Sequence, residues 1–443
     1  MKNILNYFID NIYKIAVIYF IAQLLLVIIW RVPFTSDSLY YYKLAQDCLK
    51  YHCIYPAKIY IFQDYIIAPL YINLIIMILS IYNSSITIGI LNIFLNALQM
   101  YLFFKLSRIF FDERTSRTGL LLYMFYLNTL GMVLMNLTEF LFGVLILIAL
   151  IFFYKNTVKS FFLSGVFTAA SIAVRPLGWG LLIAFMIIFI LKFIKKEKIL
   201  HAFFAAALGV SLFIIAGGTI TKIYSGDFIF TSTNGPVNLI IGANDNATGA
   251  YNAKVFDKGN TGYIDTTTLM TYKEKESYWQ KQALNWISVH PLKWLSLIPR
   301  KIFFMFAWSD FTIPYLSHIN GLNVPRFVKM LFLGKLSQAF AGIPFYLALI
   351  YILLLILNYI YYFYIMLIFL FNLIKIKVSW ILSSKFLPVI LFILSGVSIT
   401  LVTFGDARFN YPYLLFIILF VSQPLSRYLS GSKLLLTKTH SHD

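Results

Sequence analysis

A chain of 443 residues that is 60% hydrophobic, 18% aromatic and only 12% charged is far from a soluble globular average and carries apolar runs long enough to span a bilayer. Its formal net charge of +19 does not point to nucleic acid, because Lys and Arg cluster beside the apolar runs, where they set orientation and meet anionic headgroups. Cys48 and Cys53, with His52 between them, lack the second ligand pair of a tetrahedral zinc site and leave a local disulfide or two free thiols as the readings.

The first apolar run, Ile15 to Trp30, follows Lys2 and Lys14 and has no small-residue cleavage site before Asp37, which predicts an uncleaved span with a cytoplasmic N-terminus. Beyond it, RVPFTSDSLYYYKLAQDCLK from Arg31 to Lys50 offers Thr35, Ser36 and Asp37 as N-caps. It then sets Leu39, Tyr42, Ala45 and Leu49 on one face against Lys43, Gln46, Asp47 and Lys50, the pattern of a surface helix with an acid at its start. The run 66–82 is apolar, but counting it as a span would put Lys105, Arg108, Arg114 and Arg117 outside, so it is expected as an embedded surface helix. Spans are then expected at 86–107, 118–135, 140–154, 161–174, 177–194, 200–223, 343–373, 386–403 and 411–426, about ten in all, with a possible break inside 343–373. This arrangement leaves YKNTVK, KFIKKEK and KIKVSWILSSK on the cytoplasmic side.

The fold expected is an all-α polytopic membrane protein. Residues 1–224 form a transmembrane core with a first external loop over 31–85, residues 225–320 an extracytoplasmic region, and 321–443 a closing transmembrane segment. The extracytoplasmic region contains NGPVNLIIGANDNATGAYN and a helix in which Trp279, Ala283, Trp286 and Ile287 share a face, ending at His290 and Pro291. No internal repeat is evident, which argues against a transporter built from two matching halves.

On this topology Asp37, Lys58, Asp64, Glu139, Arg175 and Arg408 converge on the external face. Each has a structural reading: a helix cap for Asp37, a dipole partner for Glu139, snorkelling anchors for the arginines and a headgroup contact for Lys58. Together, two acids and several cations at the mouths of apolar helices suit an anionic lipid with a reactive headgroup. Arginine grips its phosphate through two oxygens, and a carboxylate accepts a proton from an incoming hydroxyl. No cofactor is called for by any spacing, and only Asp37 with Glu139 leaves room for a divalent cation.

Read in order, the acid after the first span, APLY, TEFLF, VRPLG, GANDNATGAYN, ALNWISVHPLKWLSLIPRKIFFMFAW and DARFNYPYLLF resemble the bacterial membrane glycosyltransferases of the GT-C class. Those enzymes are relatives of protein O-mannosyltransferases and of the lipid A aminoarabinose transferase. The resemblance runs over nearly the whole chain and rests on the order of the motifs rather than on any one of them. It implies a multi-pass enzyme of the bacterial plasma membrane that takes a sugar from a polyprenyl-phosphate donor and passes it to a glycan, lipid or protein acceptor outside. Asp37 falls on the catalytic base and Glu139 on the acid opening the fourth span. Arg408 falls on the residue holding the lipid phosphate, with Arg175 and Lys58 as further phosphate contacts and Tyr40, Asp64 and His290 as substrate contacts. Three features depart from the relatives: Ser38 stands where protein mannosyltransferases carry a second acid, no Asp-x-Asp occurs, and Ala68-Pro69 replaces the Lys-Pro-Pro of aminoarabinose transferases. A lipid-linked glycan polymerase or ligase and a lipid or solute transporter are the competing readings.

Overall fold

The computed structural model describes residues 2–265, 267–319, 343–375 and 385–431, with a few positions between 330 and 338; most of KIKVSWILSSK lies outside the described residues. Among them the chain is helical, and its only β contact is an isolated parallel bridge between Ala250 and Gly405. Six helices are long and apolar enough to cross a membrane: Ile12–Ile29, Ser85–Phe110, Pro176–Ile194, Leu200–Ser225, Phe345–Ile374 and Ala407–Ser430. This is the architecture of a polytopic membrane protein.

The helices fall where hydropathy places them, but not every apolar run is a straight span. The segment expected to cross at 118–135 is divided into Glu113–Phe125, Leu127–Gly131 and Met132–Leu134. The stretch Leu127–Leu134 meets Glu139–Tyr154 at a bend of 119°, so the two together make one broken crossing or a re-entrant turn. Pro69–Ile81, Val158–Val174 and Leu387–Val402 are shorter apolar helices. The run at 343–373 has no break and forms one helix, Phe345–Lys375.

Burial sorts the helices into an inner and an outer set. Glu139–Tyr154 and Tyr411–Ser430 bury most of their residues. Leu200–Ser225, by contrast, leaves Phe204, Leu208, Leu212 and Ile215 exposed; a helix apolar on its unpacked side is suited to hydrocarbon. Its inner face lies against Val158–Val174. There a Cβ added to Gly165 would lie 2.1 Å from the Ala206 carbonyl oxygen, and one added to Gly209 would lie 2.2 Å from that of Phe162. Reciprocal glycines thus set the distance between the two backbones, as small residues do in membrane helix pairs.

The segment 31–85 is tied to the region 225–320 by hydrogen bonds of the backbone. Ile66 N donates to Thr233 Oγ1, Thr233 N to Ile66 O, and Tyr272 N to Ile61 O at 2.8 Å. The helix Tyr272–Val289 starts with a capping box between Thr271 and Glu274 and buries Tyr272, Trp279, Ala283 and Trp286, the face expected from its sequence apart from Ile287, which packs alongside as a partly buried neighbour. With Val237, Ile240, Ile241, Val255 and Phe404, the Trp279, Ala283 and Trp286 side chains form a second apolar cluster distinct from the main one, to which Tyr272 belongs. Tyr65 packs against both.

Candidate functional site

Four ionisable side chains from distant parts of the chain meet at one place. Asp37 lies in the first turn of Ser36–Lys50. Glu139 opens its helix at the 119° bend. Arg175 follows Val158–Val174 in extended backbone before Pro176, since a residue preceding proline is pushed out of helical geometry. Arg408 sits in the 3-10 turn Ala407–Asn410 that leads into the last helix. The Asp406 carboxylate caps that turn by accepting from Arg408 N at 2.8 Å, an Asx turn that fixes the backbone behind the guanidinium.

The contacts form a chain of alternating charge. Arg408 Nη1 donates to Asp37 Oδ2 at 2.5 Å, and Arg408 Nε donates to Glu139 Oε1. Arg175 Nη1 lies 2.8 Å from the same Glu139 oxygen but off hydrogen-bond alignment, and its guanidinium also lies over the Phe142 ring. The Glu139 side chain is 0% exposed, whereas that of Asp37 is 53% exposed. Glu139 is therefore the buried anchor that holds both arginines, and Asp37 is the accessible end. An unpaired carboxylate at the position of Glu139 would be prohibitively costly; two guanidiniums compensate it.

Helix orientation at Asp37 is set by its neighbours rather than by a side-chain cap. Thr35 is the N-cap residue, but its hydroxyl pairs with Tyr315 instead of a helix N–H. Ser36 has φ +48°, a left-handed conformation that costs about 1–2 kcal/mol for a residue with a side chain. Asn136 Nδ2 donates to the Ser38 carbonyl, and Asn136 Oδ1 accepts from Tyr71 Oη at 2.8 Å, tying the first helical turn to the segment just before Glu139. The buried stripe of this helix runs through Ser38, Leu44, Ala45 and Cys48, rotated from the expected Leu39, Tyr42, Ala45 and Leu49. The rotation arises because this face packs on Pro69–Ile81, so protein neighbours, not membrane, decide which side is covered.

Beside Asp37 lies an open depression of about 440 Å3 lined by Asp37, Tyr40, Phe62, Gln63, Asp64 and Tyr65. Asp64 Oδ1 accepts from Lys275 Nζ at 2.8 Å, and the same ammonium donates to Phe62 O. Burial, reinforced by Asp64 and Asp37, raises the Tyr40 hydroxyl pKa. At Tyr41, burial and the nearby Asp37 carboxylate push it up to about 12. Burial also lifts the Asp406 carboxyl, against the pull of Arg408.

Of the expected site residues, Asp37, Glu139, Arg175 and Arg408 come together, and Tyr40 and Asp64 line the adjoining depression. Lys58 does not join them. It is exposed on a 3-10 turn that packs against Leu200–Ser225, and its ammonium group makes no ion pair or hydrogen bond among the described residues. His290 ends the Tyr272–Val289 helix and stacks on Trp286, a packing role within the second apolar cluster. Asp406, Tyr41, Asn136 and Tyr71 were not singled out from sequence. Only Asp406 carried a local signal there, as Asp two residues before Arg408 in GDARFNYP. Among the described residues no group of three His, Cys, Asp or Glu could hold a metal ion. The space between Asp37 and Glu139 is bridged by Arg408, which disfavours a cation there. Compared with family models, curated proteins and solved structures, the chain finds no match.

Proposed function

We propose that this chain is a membrane glycosyltransferase that moves a hexose or pentose from a polyprenyl-phosphate donor to an acceptor hydroxyl on the external face of a bacterial plasma membrane. In this reading the helices make about ten crossings, the two arms of the bend counting separately and Val158–Val174 and Leu387–Val402 completing the count, while Pro69–Ile81 stays at the membrane surface. One observation carries the proposal: the accessible carboxylate of Asp37 is joined through Arg408 to the buried Glu139 and Arg175. That places a proton acceptor next to a cation able to hold a phosphate.

The four groups are balanced in charge, two acids against two arginines, so a phosphate entering the cluster must take the place of a carboxylate. Asp37 is the one that can leave, because it is half exposed while Glu139 is enclosed. When the donor phosphate occupies Arg408, Asp37 is released and becomes the free base. It takes the acceptor proton; the acceptor oxygen bonds to the anomeric carbon; the bond from that carbon to the phosphate oxygen breaks, and its electrons remain on polyprenyl phosphate. Arg408, still anchored by Glu139, offsets the developing charge, with Arg175 behind it. A single displacement of this kind inverts the anomeric centre.

The test uses purified full-length protein in nanodiscs with radiolabelled hexosyl and pentosyl polyprenyl phosphates. Wild type should consume labelled donor, and Asp37→Asn should lose about 10²- to 10⁴-fold in turnover. It should also bind undecaprenyl phosphate at least as tightly as wild type, since the competing charge is gone. Turnover of the variant near the wild-type rate would remove Asp37 from the base role.

A further inference from the structure

The depression beside Asp37 has a chemistry of its own. Its lining residues, Asp37, Tyr40, Phe62, Gln63, Asp64 and Tyr65, include two carboxylates and no Lys or Arg. Each carboxylate is nevertheless neutralised from behind through one oxygen, Asp37 by Arg408 and Asp64 by Lys275. The second oxygen of each takes no protein donor among the described residues. Both carboxylate side chains are more than half exposed. In the donor-free protein the surface therefore carries no net charge yet offers two free acceptor oxygens.

Aromatic rings complete the lining. Phe62 and Tyr40 are exposed, at 48% and 37%, and Tyr65 is half-buried between the two apolar clusters. Ring faces carry a negative quadrupole and attract the slightly positive C–H groups of a saturated ring. A ligand that fits both demands is rich in hydroxyl donors on its edge and in C–H on its faces, and carries no negative charge that would meet the carboxylate lone pairs. In the donor-free protein Arg408 and Lys275 compensate the two acids, so nothing there calls for a cation either.

We infer that this depression is the acceptor subsite and that the acceptor is an uncharged saccharide, seated on Tyr40, Phe62 and Tyr65 with its hydroxyls on Asp64 and Asp37. The inference rests on the proposed transfer reaction for the role of Asp37, but the binding chemistry stands apart from the donor. An exposed peptide is the less suitable occupant. Extended peptides are gripped through backbone hydrogen bonds at a strand edge, and the lining is helix and loop.

The experiment is retention of dye-labelled nanodiscs, carrying the full chain, on an array of immobilised oligosaccharides and peptides. The array holds neutral hexose and pentose oligosaccharides, amino-sugar oligosaccharides, uronic-acid oligosaccharides and uncharged Ser/Thr-rich peptides. The same preparation is measured for binding undecaprenyl phosphate. Retention should favour neutral oligosaccharides, and Phe62→Ala and Tyr40→Ala, both at exposed positions, should each weaken it by about five- to tenfold. Equal or stronger retention on uronic-acid glycans, retention on the peptides instead, or none on any saccharide overturns the inference. Undecaprenyl phosphate bound without saccharide retention leaves the donor reading standing and removes this one; saccharide retention without lipid phosphate binding does the reverse.

Discussion

Among the polar assemblies packed between these helices, two stand in contrast, one charged and one neutral. The neutral one centres on Asn128, which donates to Tyr126 Oη at 2.9 Å and to the Ser309 carbonyl. It accepts from Thr312 Oγ1 at 2.7 Å and from Thr312 N at 3.1 Å. Asn358, from the Phe345–Lys375 helix, donates to the same Ser309 carbonyl. Every member is enclosed, and Asn128 spends both its amide nitrogen and its amide oxygen inside the protein. The charged assembly also joins distant segments, but one end, Asp37, opens onto the depression. A fully satisfied network fixes geometry; one with an accessible terminus can exchange a partner. The contrast separates scaffold from site more clearly than residue type does.

Substitutions that break or sharpen this contrast can be ranked by expected effect. Asp37→Asn should have the largest, the turnover loss of about 10²- to 10⁴-fold given above, with little change in thermal stability, because its side chain is half exposed. Glu139→Gln should reverse that balance. It leaves two guanidiniums without their buried counter-charge and should lower unfolding stability by about 3–5 kcal/mol, read as an earlier melting transition in detergent. Asn128→Ala should cost about 1–3 kcal/mol by orphaning Thr312 and Ser309 groups, and donor turnover per folded molecule should hold. Asp64→Asn, which weakens an exposed pair with Lys275, should shift stability by about 0–1 kcal/mol. If Asn128→Ala abolished turnover in folded protein while Asp37→Asn did not, the two assemblies would have to trade roles.

Much of the helix layout was legible because a long apolar run encodes its own helix: Ile12–Ile29, Leu200–Ser225 and Phe345–Lys375 fall where hydropathy puts them. The break at 126–138 was not. Tyr126 and Met135 adopt extended backbone, and that is stabilised by long-range partners such as Asn92, whose Nδ2 donates to Met135 O at 2.6 Å. Hydropathy averaged over a window does not contain those contacts. At the site, residue types at helix ends pointed to Asp37, Glu139, Arg175 and Arg408. Their pairing depended on a separation of 371 residues between Asp37 and Arg408, which only the folded chain brings together. Lys58 had the same local credentials and lies elsewhere, since charge near a membrane exit does not specify direction. Ser38, the departure that stood out in the sequence, is buried. Its backbone carbonyl, held by Asn136, contributes more to the site than its hydroxyl does.

The charge balance of the Asp37, Glu139, Arg175 and Arg408 assembly also bears on how such a protein can change over generations. With the enclosed Glu139 closed on two arginines, a single replacement that alters charge at Glu139, Arg175 or Arg408 leaves a net charge where the surroundings are poor in water. These three positions are therefore expected to drift in matched pairs, an arginine lost together with the acid, so that in a collection of sequences descended from a common ancestor they would vary as a set, while Asp37, half exposed, is held by the chemistry rather than by the charge balance.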